Sequence, residues 1–287
     1  MRKPSTNPVP LSNEERFEIA ERMATCPFVG AAVATGELEV LNTAGNPLAR
    51  IEDIVRLGDM GGGDLGTHVL KLFARGNHSR LVASKGNTDA LVPTSTFSLR
   101  FGGSQGAHPG HSGILLGNPD EVAKGQFDPE AFGRLSELGD KNGRLSIDAI
   151  GDFIANNLKR GRDLGHDVRV LPAWKLVKDA ARLLNELKNV VLGGVDSERT
   201  EVFQALTKLL GEDNLVGSAG EWGLLFAFLK NSPNSDDGDI SLLDVKPMFV
   251  DKQLPSGWET WEKSTGSWIK ATLRLIKDAS FAYHIER

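Results

Sequence analysis

Six segments from residue 127 onward carry apolar residues at helical spacing, and few β-branched runs anywhere alternate like a half-buried strand. The segments are FDPEAFGRLSEL (127–138), SIDAIGDFIANNLKR (146–160), PAWKLVKDAARLLNELKNVV (172–191), SERTEVFQALTKLL (197–210), SAGEWGLLFAFLK (218–230) and SLLDVKPMFVDK (241–252). Within 172–192, Trp174, Val177, Ala181, Leu184 and Leu187 recur in steps of three and four. Ser197 reads as an N-cap and Gly211 as a C-cap for the helix between them. The expected class is mostly α, with long irregular loops and at most a short hairpin.

The first half is less regular. Residues 1–12 form a Pro- and Ser-rich tail, and Ser12 opens a capping box (S-N-E-E) that predicts a helix from about Asn13 to Ala24. Residues 30–55 read as helix, loop around Asn46-Pro47, then helix from Ile51. GDMGGGDLG (58–66) reads as a loop and lacks the strand-linked spacing of a dinucleotide fingerprint. Residues 83–113 are rich in Gly, Ser, Pro and Thr with no helical period, a length of irregular chain that usually serves function when it sits in a compact domain. No linker interrupts residues 13–287, so one domain is expected there.

Composition excludes several classes. The net charge of −5 offers no basic footprint for nucleic acid. A single cysteine forbids an intrachain disulfide framework. The N-terminus has no apolar signal region, and no window approaches a membrane span. The expected setting is the cytoplasm, with no membrane partner and no nucleic acid.

Three stretches carry chemistry-bearing residues. DKNGRLSID (140–148) resembles part of a calcium loop, but with Gly143 as the loop glycine the first and last ligand positions fall on Leu138 and Ala149, which have no side-chain oxygen. The expected structure is a turn with Ser146 or Asp148 capping the next helix. SQGAHPGHSG (104–113) places His108 and His111 three apart, but Pro109 and Gly110 argue against a helix. With Cys26 they amount to a catalytic-type zinc set at most, and histidines in such loops are often only solvated. Cys26 is followed by Pro27, a residue favoured at the first helical position, so Cys26 is expected at the N-cap. A sulfur there faces free N–H groups and the positive end of the helix dipole, both of which favour thiolate. The small residues of FVGAAVATG would let a large flat group approach, and a thiolate held this way suits a soft metal centre.

At these residues the chain resembles the heme-thiolate peroxidases and peroxygenases, the chloroperoxidase-like group (peroxidase family 2), as a divergent member of bacterial type. CPFVGAAVATGEL resembles the family's Cys-Pro segment, whose cysteine is the proximal heme ligand. ILLGNPDEVAKGQFDPEAFGRLSELGDKNGRLSIDAIGDFIANNLKR resembles its glycine-Asp/Asn turn and the two helices after it. SAGEWGLLFAFLKN resembles the distal helix that supplies a catalytic glutamate, here Glu221, and FVDKQLPSGW resembles the C-terminal Leu-Pro, Gly-Trp element. The order and spacing of these pieces hold over roughly residues 20–260.

The resemblance implies a single helical heme-thiolate domain over 13–287. Heme b would be bound at Cys26, with Pro27 and Phe28 beside it, and hydrogen peroxide would be used on small organic substrates. A thiolate ligand favours O–O cleavage, and a distal acid–base group moves the proton. Glu221 is the matching group, and burial in WGLLFAFL favours its neutral form. The reading of Glu221 as a surface or helix-start glutamate stands beside it. Phe226 and Phe228 read as core rather than pocket. His108 is expected to assist Glu221, with His111 as its substitute in another register. One departure is clear: Ala107 and Pro109 stand where the family has carboxylates that hold a divalent cation at a heme propionate. Magnesium is therefore expected to be weakly held or absent. A non-catalytic heme-binding sensor, and a heme-free cysteine enzyme using Cys26 and His108, are the competing classes.

Overall fold

The Glu15 amide donates to Ser12 Oγ at 3.2 Å and the Ser12 amide donates to Glu15 Oε2 at 2.8 Å. This reciprocal box starts α1 (Asn13–Arg22), two residues shorter at its end than the sequence predicts. The structure is a computed structural model that describes residues 7–22, 24, 26–41, 47–59, 66–71, 74, 95–99, 129–165, 168–172, single or paired residues between 174 and 189, 214–236 and 238–285. Helix α2 (Pro27–Thr35) follows at once, shorter than the 30–55 reading implies. Strand β1 (Leu48–Arg50) leads into α3 (Ile51–Gly58), and β2 (Thr96–Ser98) pairs with β1 antiparallel, Leu48 opposite Ser98.

Helix α4 (Pro129–Glu137) ends in the turn at Asp140. The Asp140 carboxylate accepts the amides of Asn142 at 2.8 Å and Arg144 at 2.9 Å, so its charge is spent on closing the turn. β3 (Arg144–Leu145) comes next, and Ser146 caps α5 (Ile147–Asp163) by accepting the Ala149 amide at 3.2 Å. Helix α6 (Asn214–Leu229) starts four residues before the expected segment. β4 (Ile240–Ser241) pairs with β3 antiparallel. The last expected segment divides at a proline into α7 (Leu242–Lys246) and a single π-helical turn (Pro247–Asp251). A 3₁₀ turn (Trp258–Thr260) and the 20-residue α8 (Thr265–His284) complete the order.

The class is mostly α, as expected. The hairpin is replaced by two short strand pairs that join distant parts of the chain. Helix α8 is the longest among the described residues and was not anticipated. Trp174, placed in an apolar stripe by its spacing, is 72% exposed. The helix expected at 197–210, with Ser197 and Gly211, lies outside the described residues, as do most of 58–66 and of 83–113.

Every residue of α6 is buried, which matches its apolar character on all sides. It packs against α8 and α5, and α5 packs against α8 in turn. The α6–α8 approach is close: a Cβ on Gly223 would lie 3.0 Å from the Thr272 amide nitrogen. Trp268 of α8 donates its indole N–H to the Gly220 carbonyl at 3.2 Å, fixing the middle of α6. On the other side of the core α2 packs against α1 and the π turn. A Cβ on Gly30 would stand 3.2 Å from the Ala24 carbonyl, so the small residues of α2 serve this helix contact. Among the described residues no helix is long and apolar enough to cross a membrane.

Candidate functional site

Cys26 occupies the N-cap of α2 in an extended conformation (φ −78°, ψ 124°), the backbone favoured before a proline. Its carbonyl accepts the Gly30 amide at 2.7 Å, the first bond of the helix. The sulfur makes no capping hydrogen bond, yet the Val29 and Phe28 N–H groups lie near enough to act on it and favour thiolate. Burial outweighs them. It pushes the thiol from its ordinary 9.0 up to about 12, and the negative charge of Glu221 adds to the rise while Lys252 opposes it.

Glu221 therefore lies near enough to Cys26 for its charge to act on the thiol, although the two are far apart in the chain. It lies in the middle of α6, is only 8% exposed, and its Oε2 is closed off from solvent. The surface and helix-start readings of Glu221 are thereby corrected. Its neighbours fix its position. Trp222 stacks on Phe249 at 6.0 Å between ring centroids and meets Phe153 edge-on at 6.2 Å, while the Gly220 carbonyl holds the Trp268 indole.

An aromatic cluster closes the start of α2. Phe28 packs on Phe228 of α6 at 4.9 Å and on Trp258 at 5.1 Å, and Phe228 meets Trp258 edge-on at 4.8 Å. Phe228 and Phe226 are buried in the core, as expected of them. Lys263 stands 4.7 Å over the Trp258 ring and donates to the carbonyls of Trp258 at 2.9 Å and Trp261 at 3.2 Å. The 3₁₀ turn is thus pinned against Phe28, and Pro27 and Phe28 are both buried next to the sulfur.

Lys252 is the site residue that the sequence did not reveal. It follows the π turn directly and is 6% exposed. Lysine is ordinarily a surface residue, and nothing local in FVDKQLPSGW marks this one as buried. His108 and His111 lie outside the described residues, as do Ala107 and Pro109.

Heme is the group that the resemblance implies, and the described residues fit it. One soft sulfur stands at a helix start with two amides near it, and the charges of a buried carboxyl and a buried ammonium both act on it. The burial that opposes an isolated thiolate is relieved when a metal cation takes the proton's place. Among the described residues no three His, Cys, Asp or Glu side chains gather as a metal-binding group, and a heme held through one cysteine sulfur would need none. No protein-family model, no curated protein and no solved structure matches this chain.

Proposed function

We propose that the chain is a heme-thiolate peroxidase or peroxygenase that uses hydrogen peroxide to oxidise, oxygenate or halogenate small organic substrates. One observation carries the reading: the only cysteine, at the start of α2, and a carboxyl buried in the middle of α6 are brought close enough for the charge of Glu221 to act on the sulfur. The ordered motifs of the sequence support it. Heme bound at Cys26 would supply peroxide activation, with electron donation from the sulfur favouring O–O cleavage.

The protein residues have separable tasks. Pro27 fixes the helix start, so the sulfur is presented from a rigid backbone. Phe28, Phe228 and Trp258 pack on one another and brace the start of the helix that carries the sulfur. The Glu221 carboxyl takes a proton from one peroxide oxygen and returns it to the departing one. His108, or His111 in its place, assists Glu221. With Ala107 and Pro109 in the cation segment, a divalent cation is held weakly or is absent.

The heme-free cysteine enzyme is less well supported. A thiol held at about 12 remains protonated at neutral pH and is a poor nucleophile. The direct test is an absorption spectrum of protein produced with a heme supply, reduced under carbon monoxide. The expected result is the strongly red-shifted Soret band of a thiolate ligand, lost in Cys26→Ala. A histidine-type band, or the same spectrum in the variant, would remove the reading. A thiolate spectrum with no peroxide-dependent turnover would instead select the sensor.

A further inference from the structure

Lys252 stands at a costly position three times over. Its backbone is left-handed (φ 53°, ψ 46°), a conformation that disfavours a side chain and for which glycine is the usual choice. It closes a π-helical turn, a feature frequent at functional sites. It also buries an ammonium group, which is expensive unless an anion compensates it.

The compensation visible among the described residues is small. Nζ donates to the Phe249 carbonyl at 3.2 Å, and no carboxylate lies within ion-pair distance among the described residues. Among the described residues the Phe249 carbonyl is the one acceptor of its three N–H donors. Glu21, exposed on α1, and Cys26 are the negative or ionisable groups whose fields reach it. Burial lowers its pKa, and the field of Glu21 opposes that shift without cancelling it. The π turn that precedes it packs on α2, and the charge of Lys252 acts on the Cys26 thiol at the start of that helix.

We propose that Lys252 is the counter-ion for a carboxylate of the ligand bound at Cys26, namely a propionate of the heme. The inference rests on the heme reading above. It also accounts for a chain that lacks carboxylates at 107 and 109: a fixed ammonium neutralises the propionate without a divalent cation. A buried ammonium suits a carboxylate, because charge-assisted hydrogen bonds gain strength away from water.

The test is a Soret titration of heme-free protein with protoheme and with its dimethyl ester, in which both propionates are blocked. The proteins are wild type, Lys252→Met and Lys252→Arg. Methionine has a similar length and no charge, so a thermal melt of the unloaded variant should not fall below wild type. The expected result is that wild type prefers protoheme over the ester, that Lys252→Met weakens protoheme binding by about tenfold or more while leaving the ester unchanged, and that Lys252→Arg keeps most of the preference. Equal weakening of both porphyrins in Lys252→Met, or no preference in wild type, would overturn the proposal while leaving heme binding intact. If benzoate perturbs the loaded protein only when Lys252 is present, and esterification has no effect, the carboxylate belongs to a substrate and the proposal is wrong. Failure of wild type to bind either porphyrin would remove the heme reading and this inference together.

Discussion

Glu221, buried within α6, and Cys26, with its raised thiol, each yield a sharp expectation. Glu221→Gln preserves shape and removes the exchangeable proton. Heme content and the ferric spectrum should stay near wild type, while peroxide-dependent oxidation of an aromatic substrate falls by about 10²–10⁴-fold. Unchanged turnover in the variant would make Glu221 structural. The thiol gives a pH expectation in the heme-free protein. Its pKa is raised from 9.0 in the unfolded chain to about 12 in the fold, so between those values the folded state holds a proton that the unfolded state has released. The stabilisation is complete below 9.0 and is lost as pH rises toward about 12. Lys252, lowered by burial, acts in the opposite sense and is common to both proteins compared. Urea midpoints of wild type and Cys26→Ala, measured on either side of 9.0, should show a steeper alkaline decline in wild type; parallel curves would show an unshifted thiol. The helix start at Cys26-Pro27 and the burial of Glu221 were legible because a Cys-Pro pair before a small apolar run and a glutamate within an apolar run are both unusual. Lys252 was not, because its burial comes from tertiary packing around an ordinary-looking lysine.

The helices that were legible are those with a chemical boundary or a clean period. Ser12 with Glu15, and Ser146 before Ile147, announce α1 and α5 by their capping groups. Helix α8 lacks so clear a pattern: Thr265, Thr272 and Ser280 share its buried face with Trp268, Leu275 and Ile276, so polarity does not divide the helix cleanly. The strand pairs span two or three residues and join distant segments, too short for a period-2 signal. Two glycines separate packing from propensity at this scale. Gly223 of α6 faces Thr272, and an added methyl would overlap the threonine hydroxyl and press on its amide. Gly133 of α4 has nothing within 4 Å of such a methyl. Gly223→Ala should lower stability by about 1–3 kcal/mol despite the better helix former. Gly133→Ala should raise it by roughly 0.5–1 kcal/mol. Chemical denaturation of both variants checks the signs, and a stabilised Gly223→Ala would mean that α6 and α8 sit further apart than described here.

At the scale of the whole molecule, the site is assembled from the start of α2, the middle of α6 and the turn after α7, and these elements also share the core. Phe28 and Phe228 belong to the aromatic cluster next to the sulfur and to the packed interior at once. The mostly-α class could be read from periodicity, but which helix covers which could not, because α6 is apolar on every side and accepts neighbours anywhere around it. An occupant of the site must therefore stabilise the fold and not merely a loop. With free heme at about a hundred times its Kd, mass action adds about 2.7 kcal/mol, a rise of roughly a few degrees in melting temperature for a chain of this size. In Cys26→Ala most of that rise should vanish, since the sulfur that would hold the iron is gone. Differential scanning calorimetry of both proteins, with and without heme, measures it directly. An equal rise in the variant would mean that heme is adsorbed elsewhere, and no rise in wild type would mean that the chain does not bind heme.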